Sequence, residues 1–204
     1  GSMQSTNEAG EELWRMQRRA EYLIFSSLHR FEQAIQRADI PDTENLSVRT
    51  EGISFRGSDD IDLDKPLSGK FSPSDKVKLW HSLGNQGSGN GDIAALNYIY
   101  GQIQEELRQK EKGKAKKRLR LIIACSDGGP DDEVKVHEYA EALGRLGAVV
   151  VGIGLTETAA AVPDIYTTPF SRGDIAKDLN DLPVIVAKHL VAEAIRLFPA
   201  HARD

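Results

Sequence analysis

The sequence predicts an α/β fold, an open and mostly parallel sheet with helices on both faces. Three observations point there. Leu119 to Cys125 and Ala148 to Gly154 ("AVVVGIG") are short runs apolar on both faces, as strands inside a covered parallel sheet are. Between them, Asp132 to Leu146 has helical periodicity, with Val136, Ala140 and Leu143 inward and Gly147 just past its end. Strand, helix, strand at this spacing is a right-handed βαβ unit.

The remaining elements follow in order. Glu11 to Arg37 reads as a long helix with Leu13, Met16, Ala20, Leu23, Ser27, Phe31 and Ile35 on one face, widened by Ile24 and Leu28. Pro41 ends it. Leu46 to Arg56 is a strand in which Gly52 breaks the alternation and predicts a bulge. Ser58 to Gly69 is acidic and irregular, with Asp62-Leu63-Asp64 as a short edge strand and Asp59 to Asp64 a solvated loop. Ser72-Pro73-Ser74-Asp75 starts a helix that ends near Leu83. A glycine-rich loop, Gly84 to Asp92, leads into a helix carrying Ile93, Leu96, Tyr100, Ile103 and Leu107 inward. Lys110 to Arg120 is a basic, solvated linker. Val162 to Tyr166 reads as a short strand. A last helix begins around Asp181-Leu182-Pro183 and turns Val186, Leu190, Ala194 and Leu197 to the core.

The totals limit function. The chain has 204 residues, 40% of them hydrophobic, enough for one domain (4–204) with a real core. A net charge of −5 argues against nucleic acid and anionic membrane as main partners. No run is long enough to span a bilayer, and no secretory h-region is visible, so a cytoplasmic location is expected. The single cysteine, Cys125, sits in an apolar run and reads as an inert thiol.

Several chemistries fail on spacing. Gly69-Lys70 is followed by Phe71 and lacks the glycine five residues earlier, so it is no P-loop. Gly87 to Gly91 lacks the dinucleotide spacing, and Ser126 lies in Cys-Ser-Asp rather than in a nucleophile elbow. His29, His81, His137, His189 and His201 show no metal-ligand spacing. Arg172-Gly173-Asp174 is a coincidental tripeptide in which Asp174 caps a turn. What remains is hard oxygen chemistry. Ser126 and Asp127, past the end of a central strand, and Asn90 and Asp92, at a helix start, suit Mg²⁺, Mn²⁺ or Ca²⁺. Ligands of open α/β sheets bind at that edge. The plainer role for Asp127 is a turn residue, with Asp131 or Asp132 capping the next helix.

"LIIACSDGGPDD", followed by "GAVVVGIG", together with "GNGDIAAL", resembles the von Willebrand factor A (VWA) family. The flavour is that of the intracellular domains of cobalt-chelatase-like subunits that work beside AAA+ ATPases. The resemblance covers most of the chain and implies a Rossmann-like fold. It also implies a metal-ion-dependent adhesion site (MIDAS) built from a DxSxS motif, a threonine and an aspartate. Asp127 matches the aspartate. Asn90 stands where the family has threonine, with Asp92 two residues on. DxSxS is absent. Gly1-Ser2-Met3 is either a vector remnant or the tail of DxSGSM, and only in the second case does Ser2 belong to the site. The family's first, central strand is then missing from these residues. Leu119 to Cys125 is expected to find its second neighbour by dimerisation, by strand borrowing, or by direct pairing with Leu46 to Arg56.

The resemblance implies a protein-interaction module rather than an enzyme, with a divalent cation bridging to a partner's acidic side chain. A metal-assisted hydrolase or chelatase-type subunit, and a metal-free structural domain, are the alternatives.

Overall fold

A computed structural model describes residues 13–38, 47–56, 60–82, 91–110, 118–126, 128–155 and 157–197. Its helices are Leu13–Ala38 (α1), Pro73–Ser82 (α2), Asp92–Lys110 (α3), Glu133–Arg145 (α4), Val162–Tyr166 (α5) and Leu182–Leu197 (α6). Its strands are Thr50–Arg56 (β1), Asp60–Ser68 (β2), Arg120–Ser126 (β3), Ala148–Leu155 (β4) and Arg172–Ala176 (β5).

The centre is a parallel sheet in the order β3-β4-β5. Every residue of β4 is buried. Alternation along β4 feeds two apolar layers. Val149, Val151, Ile153 and Leu155 join Leu182 and Val186 of α6, with Ile24 of α1 packed against them. Val150 points the other way, into a layer with Leu96 and Ile103 of α3, Val136, Ala140 and Leu143 of α4, and Tyr166 of α5. Helices therefore cover both faces, as the two doubly apolar runs require.

Helix α4 forms where its periodicity places it. Asp132 caps it by accepting from Lys135 N–H at 3.0 Å, and Gly147 leaves it at φ +80°. Helix α2 opens on a reciprocal box. Ser72 Oγ accepts from Asp75 N–H at 3.2 Å, and the Asp75 carboxylate accepts from Ser72 N–H at 2.8 Å. The Ser72 hydroxyl, donating at 2.7 Å, and the Ser72 N–H together hold the Asp75 carboxyl below its ordinary range.

Strands β1 and β2 form a separate antiparallel hairpin, with register shifts on either side of Gly52, where the bulge is expected. The acidic stretch after Ser58 is thus a nine-residue strand rather than a loop. Lys65 explains part of this. It is 2% exposed, and its ammonium donates to the carbonyls of Thr50 at 2.6 Å and Ser68 at 3.0 Å, closing the irregular end of the ladder. Burial lowers its pKa.

Three further expectations are corrected. Leu23 and Phe31 of α1 are half exposed, and the inward side carries Tyr22, Phe25 and Glu32 instead. Aromatic partners select that side. Tyr22 and Phe25 meet Phe71, Tyr22 also meets Trp80, and Glu32 accepts from Val48 N–H at 3.0 Å. Val162–Tyr166 is a short helix started by Pro163 near its N-terminus, not a strand. The strand in this region is Arg172–Ala176, so Asp174 is a strand residue and does not cap a turn. Its Oδ2 accepts from Lys188 at 2.7 Å and lies 3.2 Å from His189 Nε2. Of the three ways in which Leu119 to Cys125 is expected to find its second neighbour, direct pairing with Leu46 to Arg56 is not the one taken, since β1 pairs with β2. Among the described residues, β3 has a strand on one side only. No described helix is long and apolar enough to cross a membrane.

Candidate functional site

The loop after β3 and the short helix after β4 bring an aspartate and a tyrosine to bear on one buried carboxylate. Asp92 is the first residue of α3 and is 2% exposed. Its Oδ1 accepts from the Tyr166 hydroxyl at 2.9 Å. Its Oδ2 is fully buried, with no hydrogen-bond partner among the described residues. Burial raises the Asp92 pKa; the Tyr166 hydrogen bond works against the rise, and the Asp131 carboxylate in the loop after β3 adds to it. An orphaned buried carboxylate oxygen is costly unless a proton or a cation completes it.

Tyr166 reaches Asp92 because β4 gives it room. A side chain at Gly152 would collide with the Tyr166 ring. Glycine inside an otherwise apolar strand marks this kind of close approach. The tyrosine is 1% exposed, and its carbonyl accepts from the buried Ser171 hydroxyl at 2.5 Å. The Tyr166–Asp92 bond therefore rests on well-packed structure.

At the end of β3, Ser126 is buried and its Oγ donates to the Gly128 carbonyl at 2.8 Å, turning the chain toward α4. Asp131 and Asp132 follow in that turn. Burial pushes the neighbouring Cys125 thiol far above its ordinary pKa, so it is unreactive.

Of the five residues with expected ligand roles, Asp92 and Ser126 lie in the described part. Asp127, Asn90 and Ser2 lie outside it. Among the described residues no group of three or more histidines, cysteines, aspartates or glutamates is placed to hold a metal ion. Asp92 and Asp131 supply two hard carboxylates, and the orphaned Oδ2 of Asp92 is an oxygen that fits a hard cation.

Sequence reasoning missed Tyr166 by assigning it to a strand. The readable signal was the pair Gly152 and Gly154 in the middle of "AVVVGIG", each facing a close neighbour, Tyr166 and Ala159 respectively. No protein-family model matches the chain, and no curated protein matches it.

Proposed function

We propose that the chain is a VWA-type protein-interaction module whose carboxyl sheet edge holds one divalent cation, Mg²⁺ or its relatives Mn²⁺ and Ca²⁺. The observation that carries this reading is the orphaned Oδ2 of Asp92, buried at a helix start within electrostatic reach of Asp131. A cation answers both features of that carboxylate, its unsatisfied oxygen and its buried charge.

In this reading Asp92 and Asp127 carry the charge of the shell, and Asn90 adds a neutral amide oxygen. Ser2 contributes only if Gly1-Ser2-Met3 belongs to a DxSGSM motif. A shell this short of carboxylates leaves coordination positions to water. An acidic side chain of a protein partner takes one of them, which makes the cation the bridge. A larger assembly with an AAA+ ATPase, in the cytoplasm, is the setting the VWA resemblance favours by analogy.

Calorimetric titration of Mg²⁺ and Mn²⁺ into the chain tests the proposal. Saturable heat is expected from the unsubstituted chain, with loss in Asp92→Asn and in Asp127→Ala. Absence of heat from the unsubstituted chain would sink the cation, and turnover of a substrate that vanishes in Asp127→Ala would replace the module with an enzyme.

A further inference from the structure

We infer that the Tyr166 hydroxyl sets the cation preference of the site by occupying Oδ1 of Asp92, so that Asp92 offers a single oxygen. This rests on the cation reading above and adds to it a specificity-determining residue that itself touches no metal.

The geometry is specific. Oδ1 accepts the phenol at 2.9 Å and Oδ2 has no partner among the described residues. The two oxygens of one carboxylate thus have different roles, one fixed by protein and one left for a ligand. The hydroxyl cannot readily withdraw. The Tyr166 ring lies against Gly152 of β4, and its carbonyl is held by Ser171, which is 0% exposed. Asp92 is equally fixed, since it begins a 19-residue helix whose Leu96 and Ile103 are in the core.

Denticity separates the hard cations. Ca²⁺ is large, takes six to eight oxygens and commonly uses both oxygens of a carboxylate. Mg²⁺ is small, demands octahedral geometry, and is served by single oxygens and water. A carboxylate whose second oxygen is already hydrogen-bonded favours Mg²⁺ over Ca²⁺. An outer partner of this kind also fixes its ligand's orientation, and losing such partners typically costs about 10- to 100-fold in metal affinity.

The experiment compares Mg²⁺ and Ca²⁺ dissociation constants in the unsubstituted chain and in Tyr166→Phe, with Mn²⁺ as a spectroscopic stand-in for Mg²⁺. Tyr166→Phe is expected to weaken Mg²⁺ and hold or tighten Ca²⁺, shifting the ratio of the two constants about tenfold toward Ca²⁺. The Mn²⁺ resonance is expected to report one coordinated water fewer, because Asp92 becomes free to bind through both oxygens. Should Tyr166→Phe fail to fold, Asp92→Glu with Tyr166 in place carries both oxygens past the hydroxyl and is expected to shift the ratio the same way. A merely structural role for Tyr166 weakens both cations alike, so an unchanged ratio overturns the assignment and leaves the cation reading standing. No binding of any of the three cations by the unsubstituted chain overturns both.

Discussion

Asp92 also makes a prediction that needs no cation. An aspartate ordinarily titrates near pH 3.9, and burial raises this one in the folded chain. The sign follows from linkage. With a folded pKa above the unfolded one, folding is favoured where both states are protonated, and that advantage is lost as pH rises through the raised value. Asp92→Asn removes the titration. In chelator, its urea midpoint should therefore gain on that of the unsubstituted chain between about pH 4 and neutrality. A difference independent of pH would mean that the carboxylate is satisfied in some other way. Excess Mg²⁺ at neutral pH should narrow the gap by stabilising only the chain that keeps its carboxylate. The hard-oxygen character of Asp92 was legible in "GNGDIAAL". Its burial was not, because the partner that covers it, Tyr166, is 74 residues away, and contact at that separation leaves no local pattern.

At the scale of elements, two glycines that look alike in sequence have opposite roles. Gly101 lies within α3 with nothing near the position of a Cβ, so Gly101→Ala should stabilise by roughly 0.5–1 kcal/mol through helix propensity. Gly152 lies within β4 against the Tyr166 ring, so Gly152→Ala should destabilise by about 1–3 kcal/mol through overpacking. Urea denaturation of the two variants checks both signs, and equal effects would remove Gly152 from its role as the seat of Tyr166. Elements with long, regular periodicity were readable for the same reason that they are stable. Helices α3 and α4 carry Leu96, Ile103, Val136, Ala140 and Leu143 inward as expected, because one partner layer covers the whole stripe. Helix α1 was misread in its facing. Tyr22 and Phe25 choose their side by meeting Phe71, a condition set by packing between elements. Val162–Tyr166 was misread as a strand because five residues of mixed apolar character carry no decisive period.

For the whole molecule, the consequential feature is the split sheet. The run Leu121 to Cys125 of β3 is as apolar as β4, yet β4 is buried throughout and β3 is mostly half-buried. Its Leu121 and Ile123 face the α1 and α6 layer, and Ile122 and Ala124 face the α3 and α4 layer. Both faces are thus covered while one hydrogen-bonding edge has no strand among the described residues. Among the described residues the hairpin does not close that edge, although α3 contacts both. Helix α3 holds β1 through Gln102, whose amide donates to Glu51 at 3.2 Å. One turn further on it holds β3 through Glu106, which accepts from Arg120 at 3.2 Å. An interior-type strand with a free edge is a template for another strand. Successive residues of a strand in a parallel sheet alternate in which neighbour they bond. Amide hydrogen exchange in dilute solution should therefore alternate along Leu121 to Ser126, with the amides bonded to β4 slow and the others fast. Val151 to Leu155, paired on both sides, should be slow throughout. If strand borrowing or homodimerisation completes the sheet, the fast amides slow as concentration rises, in step with association seen by sedimentation. Uniform protection of β3 in a dilute monomer would instead mean that the same chain covers the edge, and the case for a borrowed strand would end there.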